Sequence, residues 1–296
     1  MTEFLALNPG YKQLRKSYSA VSRWQDKVVV VKYGGAAMIT ESLKASFAKD
    51  IVFLKRNGVN VVIVHGGGKE ITATADKLGI PTKFINGQRY TDKPMMDVVQ
   101  MVLAGKTNKD IVAELNRDGG NAVGLCGVDA GLLNVKKFSD GKEDLGLVGE
   151  ITEVNANLLR ILINNALLPV IAPIGVDKQG VVYNINADVA AAAVAKELQA
   201  DALLFLSDVP GVMLDQVLIH RLSSADADKM IAEGSINNGM IPKIRSGFEA
   251  LHSGVDAVHF IDGRGEHSVL GQLCSTGSIG TGLAFSSGRM AKSVSA

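Results

Sequence analysis

Two apolar, β-branched runs in this chain each end in a cluster of glycines. The first is Val28-Val29-Val30-Val31-Lys32-Tyr33-Gly34-Gly35, and the second runs from Val59 through Val64-His65 to Gly66-Gly67-Gly68. Each precedes an amphipathic helical pattern, so both glycine loops are expected at the same edge of one parallel sheet. That edge is where α/β proteins bind ligands. Without a Cβ, glycine lets backbone N–H groups approach an anion closely, and the following helix adds the positive end of its dipole. Two such cradles, one carrying a lysine, point to the handling of phosphate, although tight turns alone would also use these glycines.

The loops do not match the common nucleotide-binding patterns. A Gly-x-x-x-x-Gly-Lys-Ser/Thr loop ending at Gly68-Lys69 would need glycine at Ile63 and a hydroxyl at Glu70. The pattern Gly-x-Gly-x-x-Gly is absent from both exits. Charge argues against polyanion binding: 31 Lys and Arg stand against 30 Asp and Glu, a formal charge of +1, with no basic run interleaved with aromatics. With 296 residues, 47% of them hydrophobic, the chain can bury one large or two medium cores. Its start, Met1-Thr2-Glu3-Phe4-Leu5, does not read as a secretory leader, and no run approaches the ~18 apolar residues of a membrane span. A soluble, cytoplasmic protein that binds neither nucleic acid nor membrane is expected. Cys126 and Cys274 fit no metal or redox spacing and read as free or buried thiols, and no metal site is expected on the protein itself.

Alternation of strands and helices is expected along most of the chain. Strands are read at about 27–33, 59–65, 122–125, 132–137, 146–152, 168–173, near 181, 202–207 and 256–261. Helices are read at about 41–57, 93–117, 187–198, 223–233 and 241–253, with another ending near Leu78-Gly79. Asn86-Gly87 marks a hairpin turn between Pro81 and Thr91. The pattern restarts near Gly175, which divides the chain into an N-terminal lobe over 27–175 and a C-terminal lobe over 176–290, behind a helical extension over 1–26. In that extension Tyr11, Leu14, Tyr18 and Val21 recur at helical spacing after Asn8-Pro9. The stripe needs cover from its own domain, a membrane surface or another subunit. Its modest basic face favours another subunit. The tail after Phe285 is read as disordered.

Three places in the second half carry polar groups that a packed core must account for. The helix after Asn184-Ile185-Asn186-Ala187-Asp188 is apolar or small on every side from Val189 to Ala195, so its polar start must be satisfied inside the protein. Asp188 is placed either to cap the first turn or to hold lysine ammonium groups beside the two asparagines. Lys243 follows Gly239-Met240-Ile241-Pro242 at a helix start, where the dipole repels a cation, so an anionic partner is expected. Leu206-Ser207-Asp208-Val209-Pro210-Gly211 is a strand exit that reads equally as a turn and as a nucleotide-facing loop.

Taken in order, Lys32-Tyr33-Gly34-Gly35, His65-Gly66-Gly67-Gly68, Asn86-Gly87-Gln88-Arg89, Asn184 to Asp188, Leu206 to Gly211 and Gly239 to Lys243 resemble the acetylglutamate kinases of the amino acid kinase family. The resemblance runs from about Lys27 to Gly282. It implies a mostly parallel central sheet sandwiched by helices, with N-acetyl-L-glutamate on the N-terminal lobe and MgATP on the C-terminal lobe. It implies phosphoryl-clamping lysines at Lys32 and Lys243, an organising aspartate at Asp188, and a substrate-carboxylate arginine at Arg89. Amide contacts fall on Asn184 and Asn186, a glycine cradle on Gly66 and Gly67, and nucleotide contacts on Gly34, Gly35, Ser207, Asp208, Gly211 and Gly239.

Chemistry fits this inventory independently. A carboxylate attacking the γ-phosphorus is ionised at pH 7 and needs no general base, only positioning and charge neutralisation by lysines, N–H groups and Mg²⁺. His65 therefore reads as a brace for its loop rather than as a proton acceptor. Arginine-inhibited members of the family carry an extra N-terminal helix that interlaces dimers into a hexamer, which implies a homo-oligomer here and an arginine site at Tyr11, His259, Gln272 and Ser278. The sequence departs from that pattern at two of these positions: Gln272 stands in a segment that usually carries a glutamate, and Ser278 where glycine is common. The stretch from Tyr11 to Asp26 is also longer than usual. Two rival readings share the same loops: a kinase of another small acid, and a non-catalytic scaffold that binds nucleotide or arginine.

Overall fold

The computed structural model describes residues 18–139, 141, 143–236, 239–275 and 277–285. A helical turn at 18–22 leads into β1 (Val28–Tyr33), whose valines 29–31 have no exposed surface. There follow a 3-10 turn (Gly35–Met38), α1 (Glu41–Arg56), β2 (Asn60–His65), α2 (Gly68–Lys77) and the hairpin of β3 (Phe84–Ile85) and β4 (Gln88–Arg89). Asn86 and Gly87 both have positive φ, as the two-residue turn requires. Next come α3 (Lys93–Gln100), a π-helical stretch (Met101–Thr107), α4 (Asn108–Arg117), β5 (Ala122–Cys126), β6 (Leu133–Lys137), β7 (Gly149–Val154), α5 (Ala156–Asn164), β8 (Leu168–Ala172), β9 (Ile174–Val176) and β10 (Val182–Asn184). The second half holds α6 (Ala187–Leu198), β11 (Ala202–Ser207), the β12 (Met213–Leu214) and β13 (Val217–Leu218) hairpin, β14 (Arg221–Ser223), α7 (Ser224–Ala232), α8 (Ile241–His252), β15 (Val258–Asp262), α9 (Ser268–Cys274) and β16 (Thr281–Ala284).

Eight strands form one sheet in the order β14-β16-β15-β11-β1-β2-β8-β5, parallel except where β15 meets β16. Its central strands bury both faces. One face packs under α5, α6 and α8, the other under α1, α4 and α9, and each face has its own apolar cluster. The sheet thus runs unbroken through both halves of the chain, with β1 paired to β11 and to β2. A smaller sheet, β10-β9-β6-β7, ties residues 174–184 to the first half, so the boundary expected near 175 falls inside β9.

Two elements depart locally from the expected pattern. The helix expected over 93–117 is continuous but widens into π geometry at Met101–Thr107, around Gly105. The strand expected over 146–152 starts at Gly149, because Leu145 and Leu147 bond to Thr91 ahead of α3 instead of joining the ladder. The expected N-terminal helix lies mostly outside the described residues, as does the tail after Phe285. What is described of that extension is anchored: Arg23 and Trp24 donate to the carbonyl of Leu273 at the end of α9, and Arg23 also to Ser275. The Arg23 cation and the Trp24 N–H meet the carbonyl end of the helix, where donors and positive charge are favoured.

Candidate active site

The β1/β2 register sets Lys32 beside Val64 and Tyr33 beside His65, so the two glycine loops leave the sheet side by side. They are joined by a bond from the Gly66 N–H to the Tyr33 carbonyl, 2.8 Å. Gly66, read from the sequence as part of the anion cradle, has therefore already committed its N–H. The N–H groups that follow it, at the first turn of α2, have no acceptor within the helix. Gly67 is extended, with φ 166°, so it is glycine for space: a Cβ would stand 2.6 Å from Leu103 Cδ2 and 3.5 Å from Thr107 Oγ1.

Asp188 is buried in the first turn of α6, and the turn is capped by Asn186, whose Oδ1 accepts from the N–H groups of Asp188 and Val189. Of the two roles the sequence left open, capping thus falls to Asn186, and the Asp188 carboxylate is left for the lysines. Lys32 Nζ lies 3.2 Å from its Oδ1, and Lys243 Nζ donates to its Oδ2. Burial pushes this carboxyl up, but the two ammonium groups together outweigh burial and hold it below the usual carboxylate range. Lys243 is pulled down, first by burial and then by the charge of Lys32, with Asp188 opposing both. Its place in the first turn of α8 is compensated by the acidic partner that the dipole argument required.

Beside this cluster lies a cavity of about 620 Å³, lined by Gly66, Gly67, Arg89, Asn184 and Asn186 among others. A second, of about 710 Å³, shares Gly87, Gln88, Val148 and Asn186 with the first and is lined on its far side by Asp188, Gly239 and Lys243. Arg89 is only 8% exposed, and burial lowers its pKa. Its guanidinium donates to Gly68 O (2.9 Å), to Thr72 Oγ1 (2.8 Å) and weakly to Thr82 Oγ1 (3.5 Å), and stacks 4.8 Å from the centre of the Phe84 ring. Among the described residues it makes no ion pair within hydrogen-bonding distance, although the charge of Asp76 acts on it from across the same cavity. Asn184 donates to Thr91 Oγ1 at 3.2 Å. Thr72 on α2, Thr82 in the following loop and Phe84 on β3 were not singled out from sequence, because nothing local marks any of them as an arginine's partner.

The residues expected at the nucleotide are split between pocket and scaffold. Gly34 approaches Lys32: a Cβ there would stand 3.1 Å from its Nζ. Gly35, at φ 64°, lies under Asp208, whose Oδ1 accepts the Ala36 N–H and so ties the β1 loop to the exit of β11. Ser207 turns inward, its hydroxyl donating to Val209 O and Ile261 O. Gly211 is packed against β16, where a Cβ would stand 2.5 Å from Thr281 Oγ1.

His65 has no exposed surface, and burial pushes its imidazole down to about 4. It is neutral at pH 7 and far from any role as a proton acceptor for a bound acid. His259, also pushed down to about 4 by burial, meets Ser278 Oγ at 3.2 Å and Gln272 Nε2 at 3.4 Å. Gln272 Oε1 in turn accepts from Ile279 N. Three of the four residues read as an effector site are thus brought together, while Tyr11 lies outside the described residues.

The sequence pattern described as the amino acid kinase family matches residues 27–262. The acetylglutamate kinase of Chlorobaculum tepidum is 48% identical over 261 residues, covering 88% of this chain and 91% of its own. That of Aquifex aeolicus is 46% identical over 285 residues, covering 91% and 96%. Among solved structures, N-acetylglutamate synthase from Neisseria gonorrhoeae complexed with coenzyme A and N-acetyl-glutamate superposes with a TM-score of 0.83 at 23% identity, a likeness of fold. The match takes in 95% of this chain and 64% of that one.

Proposed function

The chain belongs to the amino acid kinase family, and from that membership we propose that it transfers the γ-phosphoryl group of ATP to the side-chain carboxylate of N-acetyl-L-glutamate, in arginine biosynthesis. A carboxylate oxygen attacks the γ-phosphorus, the bond to the β,γ-bridging oxygen breaks, and N-acetylglutamyl 5-phosphate and ADP result. One observation carries the reading: two lysines from opposite halves of the chain meet on one buried carboxylate, and that carboxylate and Lys243 line the second cavity. Both reactants are anionic, so cations held in advance supply what the reaction lacks. Asp188 lets two like charges stand together, with Lys243 lining the second cavity and Lys32 held behind it on the same carboxylate.

In this reading Arg89, buried without a directly bonded carboxylate, receives the carboxylate that does not react, and the first turn of α2 with Lys32 and Lys243 receives the migrating phosphoryl group. Magnesium enters with the phosphates of ATP, bound to the substrate. No helix among the described residues is long and apolar enough to cross a membrane. We read the protein as a cytoplasmic homo-oligomer, dimer or hexamer, joined through its N-terminal helix, with arginine as its feedback effector beside His259, Gln272 and Ser278. Gln272 offers an effector an amide in place of a charge, so inhibition, followed by titrating arginine into the assay, is expected to be weak.

Hydroxylamine trapping tests the chemistry. An acyl phosphate yields a hydroxamate, so N-acetyl-L-glutamate with MgATP is expected to give one, and aspartate or carbamate far less. Equal signal from another acid moves the activity elsewhere in the family, and no signal with ADP-free binding of nucleotide supports a scaffold.

A further inference from the structure

His65 and Asn108 play no part in the chemistry above, yet both are buried beneath the glycine cradle. Asn108, the first residue after the π-helical stretch, donates through Nδ2 to the Val170 carbonyl at 2.9 Å and, at 3.4 Å, to the Leu125 carbonyl, and faces His65 Nε2 at 3.2 Å, closer than Leu125. Its Oδ1 accepts from Lys109 Nζ at 3.0 Å. A carbonyl only accepts, so Val170 fixes which end of the amide is the NH₂ group. That NH₂ makes Nε2 of the imidazole an acceptor. At the other side of the ring, Nδ1 lies 2.8 Å from the Gly66 carbonyl, which can only accept, so Nδ1 carries the proton. Two independent partners thus demand the same tautomer.

The consequence falls on the cradle. Across a trans peptide the Gly66 carbonyl and the Gly67 N–H point in opposite directions. Holding the carbonyl toward the buried ring turns the Gly67 N–H outward, to the side where Gly66 and Gly67 line the cavity. We propose that His65 and Asn108 are positioning residues: Asn108 selects the Nδ1–H tautomer of His65, which orients the Gly66–Gly67 peptide so that the Gly67 N–H faces the migrating phosphoryl group.

The kinetic half of the proposal rests on the phosphoryl-transfer reading; the tautomer does not, and the two are tested separately. In protein labelled with ¹⁵N-histidine, the His65 ring is expected to show a protonated Nδ1 and a bare Nε2 across neutral pH. Protonated Nε2, alone or together with Nδ1, overturns the proposal whether or not the enzyme is a kinase. In the hydroxamate assay, His65→Leu and His65→Gln are expected to lose about 10–100-fold in kcat, as indirect positioning contacts do. KM for N-acetyl-L-glutamate should change little, because Arg89 is untouched. His65→Asn places an amide N–H near the former Nδ1 and should recover most of the turnover. Folded His65→Leu with unchanged kcat, or His65→Asn as slow as His65→Gln at equal thermal stability, overturns the proposal. Should the Leu variant not fold, the Asn and Gln pair still decides.

Discussion

Replacing Asp188 by asparagine removes one charge and leaves two ammonium groups facing an amide that has a single oxygen. One lysine keeps an acceptor; the other meets an NH₂ group of like polarity. Breaking a buried ion pair by removing one partner costs roughly 3–5 kcal/mol. Asp188 is 6% exposed and Lys32 8%, so that range applies to them, whereas the Lys243 side chain keeps 23% of its surface and recovers part of its loss from water. We therefore expect a loss of about 3 kcal/mol in urea unfolding. Turnover should fall by about 10²–10³, the effect of one misplaced preorganised donor.

The pH dependence separates charge from geometry. Lys243 is already held low by burial and by Lys32, and Asp188 is the group that opposes them. Without it, Lys243 falls further and loses its proton nearer neutrality, so the variant should gain activity as the pH is lowered, whereas the parent enzyme should not. Stability gives the opposite window. Asp188 titrates below its unfolded value, so its contribution is complete above the ordinary carboxylate pKa of about 3.9 and disappears as pH falls through the lower folded value. The gap between parent and variant should be constant in mildly acidic solution, close in stronger acid, and narrow again at the higher pH where the variant's Lys243 loses its proton. An Asp188→Asn enzyme with normal kcat and less than about 1 kcal/mol of destabilisation would refute the lysine-organising role.

Two other substitutions probe the cavity. Arg89→Ala should raise the KM for N-acetyl-L-glutamate by about 10–100-fold, the value of a charge-assisted bond, and also lower kcat, because Arg89 holds Gly68 O at the start of the cradle; unchanged KM with weakened ATP binding would put the acid elsewhere. Gly34→Ala adds a Cβ 3.1 Å from Lys32 Nζ at an extended, unstrained backbone, so thermal stability should hold while kcat falls by about 10–100-fold from the displaced ammonium; parallel losses of both would indicate a packing defect instead.

The central strands were legible because their apolar runs leave no other place for them than the middle of the sheet, and α1 and α8 because Thr40 and the Gly239–Pro242 stretch mark their starts; α6 was legible from its apolar run, although its cap is Asn186 and not Asp188. Lys32, Arg89, Asp188 and Lys243 were legible for a related reason: each sits next to a glycine turn or a helix start, where backbone geometry leaves a local trace. The rest depends on tertiary contacts. The π-helical turn at Met101–Thr107 has ordinary helical periodicity in sequence, and its Leu103 and Thr107 side chains fill the space that a Cβ on Gly67 would need. The strands β9, β14 and β16 are too short to show alternation. Ser207 and Gly211 read as ligand contacts because they occupy a strand exit; the packing adds that the Ser207 hydroxyl bonds to neighbouring carbonyls and that Gly211 leaves room for the Thr281 and Leu218 side chains.

The placement of Asp188 on α6 explains why so apolar a helix has so polar a start. Lys32 comes from β1 and Lys243 from α8, and α6 packs against both elements. Ala190, Ala191 and Ala195 have no exposed surface, and their small side chains let the helix lie close to the sheet. A helix fixed on all sides gives its first-turn carboxylate little freedom, which is what a site catalysing by position requires. Burial that would otherwise protonate the carboxylate is offset by the lysines it organises, so the three charges are stable only together. Neither lysine can then be placed correctly unless both halves of the sheet are assembled, which makes folding of the whole chain a condition for the phosphoryl site to exist.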